Sequence, residues 1–165
     1  MTERNAMAAK AVQKHIRWMI RNDVPDVLAA ETASLHESES LVKPLTHGRL
    51  LAMLRRRNCI GHVVEIDDKF AGFYLYELER TCLSIQRLCV DPSYRGLGVG
   101  RAMLARMFKK LDEGSLKDRS RIEVIVPERM MTLLKFFSHG GFEATDVVRG
   151  HLPNQDGIRM IRLRA

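Results

Sequence analysis

Between Leu83 and Leu111 the chain runs from a strand through a glycine-rich turn into a helix, and no other stretch restricts the fold so tightly. Leu83-Ser84-Ile85-Gln86-Arg87-Leu88-Cys89-Val90 reads as a strand, and Asp91-Pro92-Ser93 is a turn signal. Glycines follow at 96, 98 and 100. Met103, Leu104, Met107, Phe108 and Leu111 then fall at helical spacing. The first turn of a helix has N–H groups without internal partners, and the helix dipole adds partial positive charge there. Strand, glycine turn and helix in this order therefore aim free amides at a phosphate. Glycine lets ligand oxygens approach the main chain. Arg95 and Arg101 flank the turn with full charges.

Three kinds of glycine loop compete for this segment. A P-loop needs Lys-Ser/Thr after its last glycine, where this chain has Arg101-Ala102. A dinucleotide fingerprint needs Gly-x-Gly-x-x-Gly; here the third glycine comes one residue too early. The pyrophosphate arm of coenzyme A is the third option. Arg95-x-x-Gly98-x-Gly100, preceded by Cys89-Val90-Asp91-Pro92, resembles the acyl-CoA loop of the GNAT N-acetyltransferase superfamily. The competing reading is a tight turn with no ligand.

The rest of the chain has a matching order. His15–Ile20 reads as a strand and Asn22 to about Ala33 as a helix N-capped by Asn22-Asp23. Ser34–Lys43 reads as loop and Leu45–Arg57 as a second helix with Thr46 near its start. Strands are expected over 60–66, 70–79 and 81–90, and the glycine-turn helix over 98–111. A fifth strand over 120–126 stops at Pro127. A helix over 130–139 ends at Gly140-Gly141. The last strands, 142–148 and 158–163, flank an expected loop over 149–157 holding Gly150, Pro153, Asn154 and Gly157.

This mixed α/β order is also the GNAT order. It implies a central, mostly antiparallel sheet of six to seven strands with a splayed cofactor cleft and about four helices. In detail the chain is most similar to the RimI group, which acetylates protein N-termini. The resemblance is carried by Ile16-Arg17, Asp23, Glu31, Tyr76-Glu77-Leu78, Ile122-Glu123-Val124, Phe136-Phe137-x-x-Gly140-Gly141-Phe142, Arg149-Gly150 and Met160.

At 165 residues the chain suits one domain with a real core. Residues 14–165 are expected to form it, with 1–13 a flexible extension. No apolar run approaches the ~20 residues of a membrane span, and Met1–Lys14 has no signal-peptide core. The cytoplasm is the expected location. Three cysteines without CxxC spacing argue against a zinc knuckle, and no cluster has metal-ligand spacing. Lys plus Arg exceed Asp plus Glu by 27 to 20, a net +7. Such charge attracts polyanions, ribosomal RNA among them. The densest run, Arg55-Arg56-Arg57, has no interleaved aromatics, so no specific nucleic-acid site is expected.

The resemblance implies roles residue by residue. Acetyl-CoA would lie in a V between strands 82–90 and 120–126. Main-chain groups of Leu88, Cys89 and Val90 would pair with the pantetheine, the Leu88 N–H polarising the thioester carbonyl. Arg95, Gly96, Leu97, Gly98, Val99, Gly100 and Arg101 would hold the pyrophosphate. Glu123 alternates away from apolar Ile122, Val124 and Val126 and matches the group's glutamate base. The alternative for Glu123 is a strand-surface carboxylate paired with Arg121 or Arg87. Phe137 stands beside the cofactor where the group has a tyrosine acid, so it has no proton to give. His151-Leu152 replaces a tyrosine pair in the last loop. Tyr76, Glu77 and His151 are candidates for the acceptor side, with the groove between loops 34–44 and 149–157. The expected acceptor is the α-amine of a protein or peptide, ribosomal proteins included. The alternatives are a small-molecule amine acetyltransferase and a non-catalytic acyl-CoA sensor.

Overall fold

A computed structural model describes residues 12–37 and 44–164. Seven strands form one sheet: β1 (Lys14–Trp18), β2 (Cys59–Ile66), β3 (Lys69–Leu78), β4 (Cys82–Val90), β5 (Arg121–Pro127), β6 (Glu143–Leu152) and β7 (Gln155–Leu163). Four helices accompany it: α1 (Val24–Glu37), α2 (His47–Leu54), α3 (Val99–Asp112) and α4 (Met131–His139). The spatial order is β1-β2-β3-β4-β5-β7-β6. Every neighbouring pair is antiparallel except β4 with β5, which is parallel. The fold is thus the expected mixed α/β with a mostly antiparallel sheet. Among the described residues no helix is long and apolar enough to cross a membrane.

Both faces of the central strands are apolar because both are covered. In β3, Phe73 and Leu75 join the cluster under α1 and α2, with Val27, Leu50 and Met53. Tyr74 and Tyr76 alternate to the cluster under α3 and α4, with Met103, Met107, Val124 and Phe137. The buried stripe of α3 is Val99, Gly100, Met103, Leu104, Met107 and Leu111. Each fully buried Met or Leu there contributes about 1.5–3 kcal/mol, so Met107→Asp would detach the helix.

The sheet opens at one place. Leu75 of β3 opposes Arg87 of β4, whereas Tyr76 opposes Ile85, so Gln86 is the extra residue of a bulge. A bulge bends its strand and sharpens the local twist. The parallel pairing of β4 with β5 ends at the same point, Ile85 opposite Val124. Beyond it the two strands part.

Several sequence expectations need correction. Helix α1 continues to Glu37, since Ser34–Glu37 contain no glycine or proline to stop it. The remainder of the expected loop, 38–43, and most of the expected extension, 1–11, lie outside the described residues. Asp23 does not cap a helix; a 3-10 turn (Arg21–Asp23) precedes α1, and Asp23 accepts from the Ile20 N–H at 2.8 Å. Residues 149–157 are not a loop but most of a hairpin, with Leu152 opposite Gln155 and only Pro153-Asn154 between the strands. Gly150 takes φ 62° at the irregularity and donates its N–H to Asp156 at 2.8 Å.

Candidate active site

The parting strands leave one edge of β4 facing a gap. The Asp91 N–H donates to Ala71 O on β3 at 2.8 Å. Successive peptide groups in a strand point to opposite sides. The N–H groups of Cys89 and Arg87 therefore also face β3, and those of Leu88 and Val90 face the gap. A cleft of about 2020 Å³ occupies it, bounded by α1, β4, the start of α3, β5 and α4. This exceeds the ~300–1,000 Å³ of an ordinary small-molecule pocket and suits a long cosubstrate together with its acceptor.

One end of the cleft is lined by glycine main chain and flanked by cations. Gly96 and Gly98 have φ of 76° and 79°, a left-handed conformation that other residues adopt at a cost of about 1–2 kcal/mol. Gly98 begins α3 with no side-chain cap, so the first-turn amides have no side-chain partner there. Lys14 brings a further cation: its Nζ lies 3.6 Å from the point where a Cβ on Gly98 would stand. Arg95 donates to Ser34 Oγ at 3.4 Å. Gly100 lines the cleft and also has a packing part. It is buried, and a Cβ there would meet the Phe136 ring at 3.0 Å, so it lets α3 pack against α4.

The middle of the cleft is apolar on the α4 side. Phe137 is 2% exposed and meets Phe136 and Phe142 edge-on. Arg162 of β7 donates to Gly140 O at 2.8 Å and lies over the Phe108 ring at 3.5 Å, tying the end of α4 to α3.

The α1 side is charged. Arg87 of β4 donates through Nε to Glu31 Oε1 at 3.2 Å. Glu31 is 6% exposed, lines the cleft, and its Oε2 has no hydrogen-bond partner among the described residues. Burial pushes its carboxyl pKa up, against the opposing pull of Arg87 and the Leu45 amide. Glu123 stands on the same face of the sheet, but Arg121 Nε reaches its Oε1 at 2.7 Å and Arg159 Nη1 its Oε2 at 3.4 Å. Glu123 is outside the residues lining the cleft. Glu77 pairs with Arg56 at 3.0 Å.

The structure thus brings together most of the expected site. Leu88, Cys89, Val90, Arg95, Gly96, Gly98 through Arg101, Phe137 and His151 all line the cleft. Leu97, 40% exposed, does not. Neither do Glu77 and Tyr76. Tyr76 is 2% exposed and stacks on Tyr74 and His62 under α3, because it shares the face of Ile85 rather than that of Ser84. His151 leans over Gly157, whose added Cβ would meet it at 2.9 Å. Sequence reasoning gave no site role to Lys14, Phe136 or Glu31. For Glu31 a signal existed: it shares the apolar stripe of Val24 and Val27, where an unpaired carboxylate is costly.

Comparison with known proteins agrees with this geometry. The model of the acetyltransferase (GNAT) family matches residues 27–140. An uncharacterized N-acetyltransferase of Methanocaldococcus jannaschii is 29% identical over 97 residues, covering 54% of this chain and 42% of that relative. The ribosomal-protein-S18-alanine N-acetyltransferase of Escherichia coli superposes with a TM-score of 0.76 at 16% identity, over 93% of this chain and 95% of that one. Ard1 of Thermoplasma volcanium gives 0.79 at 19%, over 93% and 99%. A Vibrio cholerae spermidine N-acetyltransferase, solved with CoA and spermine, gives 0.75 at 15%, over 92% of this chain and 96% of that one. The parted strands, the glycine turn and the family match over well more than half of the sequence lead to one conclusion: this chain belongs to the GNAT family of acetyltransferases.

Proposed function

We propose that the protein transfers the acetyl group of acetyl-CoA to a primary amine, the acceptor being the N-terminal α-amine of a protein or peptide. The observation that carries the reading is the parting of β4 from β5 at Ile85 and Val124, which turns Leu88 and Val90 main-chain groups into a gap ending at the uncapped start of α3. Acetyl-CoA supplies an activated thioester there. The α3 amides, with Arg95, Arg101 and Lys14, hold its pyrophosphate. The edge of β4 pairs with the pantetheine amides as a further strand would. The Leu88 N–H, fixed before reaction begins, stabilises negative charge on the thioester oxygen. Phe137 seals this region from water and offers no proton. A thiol of pKa near ~8.5 leaves tolerably without one.

The family resemblance puts the proton acceptor at Glu123. Against that assignment stand its two arginine partners and its place outside the cleft. A polyamine acceptor, as the Vibrio cholerae neighbour's name has it, would need several free carboxylates. Glu77 and Glu123 are held by arginines and lie outside the cleft, so among the described residues Glu31 is the one carboxylate lining it, which favours an acceptor with one amine.

The test is mass spectrometry of a pool of free-amine peptides, polyamines and aminoglycosides incubated with acetyl-CoA and the protein. Acetylation confined to peptide α-amines is expected. Acetylation of the small amines alone would make it a small-molecule enzyme. No transfer with CoA still bound would make it a sensor.

A further inference from the structure

Glu31 is a carboxylate of α1 that is buried and lines the cleft beside Arg87 of β4. Its two oxygens are not equivalent. Oε1 is held by Arg87 Nε at 3.2 Å, while Oε2 is buried and without a hydrogen-bond partner among the described residues. An unsatisfied buried carboxylate oxygen is costly, so its place in a ligand cleft suits a ligand that donates to it. Arg87 is also the residue whose peptide carries the Leu88 N–H. The carboxylate is therefore anchored to the same segment of β4 that faces the thioester. Glu123, a second carboxylate of this face, has a guanidinium on each oxygen.

We infer that Glu31 is the general base, its free Oε2 receiving the proton of the acceptor ammonium. This rests on the acetyl-transfer reading above and assigns a step within it. The proton passes from the ammonium nitrogen to Oε2. The freed lone pair forms the N–C bond to the acetyl carbon as the C–S bond breaks. The CoA sulfur takes the second amine proton, and Glu31 returns its own to solvent. A second observation is consistent: burial raises the carboxyl pKa of Glu31, which brings a carboxylate closer to the range of a useful base. The groups that face it are Arg87 and Cys89 of β4, Arg49 and the Leu45 amide on the α2 side, and Ser34 of its own helix, which is tied to Arg95. Arg87 acts on Glu31 as a positioning residue.

The experiment uses the full-length protein with a peptide acceptor found by the pool assay. Glu31→Gln keeps the hydrogen-bond acceptor for Arg87 and removes the base. Its kcat/KM is expected to fall by ~10²-fold or more, with calorimetric CoA affinity unchanged. The wild-type rate should rise with pH through a limb below the amine's own pKa. In Glu31→Gln that limb should move up to the ~7.7–8 of a free α-amine. Glu31→Ala should regain rate on adding formate, which a purely structural role would not allow. A Glu31→Gln enzyme that keeps its rate and acid limb would overturn the inference, as would a Glu123→Gln enzyme that loses both instead. If the wild type binds CoA and acetylates nothing, the acetyl-transfer reading itself fails and takes this step with it.

Discussion

Gly100 lies beneath Phe136, so close that a Cβ on it would stand 3.0 Å from the ring's Cε2 and Cζ. Alanine in place of a helical glycine ordinarily gains about 1 kcal/mol. Forcing a methyl against a packed ring costs about 1–3 kcal/mol, so the clash wins. Gly100→Ala should lower the thermal midpoint by a few degrees, since 1 kcal/mol corresponds to ~2–4 °C at this size. It should also weaken CoA binding by shifting the start of α3. Adding Phe136→Leu should restore both. An unchanged midpoint in the single variant would mean that the ring moves aside at no cost.

Gly98 tests the phosphate end through charge alone. Its φ of 79° strains most side chains, but Asn and Asp tolerate this region, and nothing stands closer to an added Cβ than the flexible Lys14 at 3.6 Å. Gly98→Asp would place a carboxylate at the N-cap, where it caps α3 by itself and competes with the pyrophosphate. The variant carries the backbone strain of this φ, which Asn at 98 shares, and should bind CoA at least ~10-fold more weakly than wild type, a difference of ~1.4 kcal/mol. Gly98→Asn, of the same shape without the charge, should bind nearly normally. Equal calorimetric affinities for the two variants would displace the cofactor from this loop.

Asp23 makes the front of the chain acid-sensitive. Arg17 grips it with two bonds of 2.8 Å, the Ile20 amide adds a third, and Glu65 holds the other side of the guanidinium. The bond from Arg17 lowers the carboxyl pKa of Asp23, with burial opposing. A group with a lowered folded-state pKa stabilises the fold above its unfolded value of ~3.9 and loses that contribution as pH falls through the folded value. Asp23→Asn should therefore cost about 2 kcal/mol at pH 7, and the gap to wild type should narrow below pH ~4. Denaturant titrations at pH 7 and pH 3 measure both.

His62 is sensitive in another pH window. It is 6% exposed and stacked between Trp18 at 4.7 Å and Tyr74 at 5.1 Å, and its Nδ1 has no partner among the described residues. Burial lowers its pKa to about 4. The unfolded chain takes up the proton first, near ~6.5, so stability falls as pH drops from there towards 4, by on the order of 3 kcal/mol. His62→Phe keeps the stack and should flatten urea midpoints between pH 6.5 and 4.5. A wild-type curve already flat in this window would mean that the imidazole takes its proton without disturbing the core.

Legibility followed the range of the interactions. The segment 83–111 was readable because strand alternation, turn residues and helical spacing are all local, and β4 and α3 begin and end within a residue or two of expectation. The stretch 149–157 was misread because Gly150, Pro153 and Asn154 are loop residues by local preference, while ladder bonds to the opposite strand decide its state. For Glu123, alternation gave the correct face and named Arg121 as a partner. Arg159, on β7, approaches it only because β7 inserts between β5 and β6. Arg87, the other partner considered for Glu123, binds Glu31 instead.

The sequence alone determined the sheet-and-helix class, the glycine turn and the helix start that follows it, because glycine placement and apolar period act within a few residues of themselves. Only the tertiary structure decided which carboxylates are tied up and which keeps a free oxygen. Ion pairs form between side chains far apart in the chain, here α1 with β4 and β5 with β7. Which charges meet depends on the bulge at Gln86, the strand order and the burial they create together.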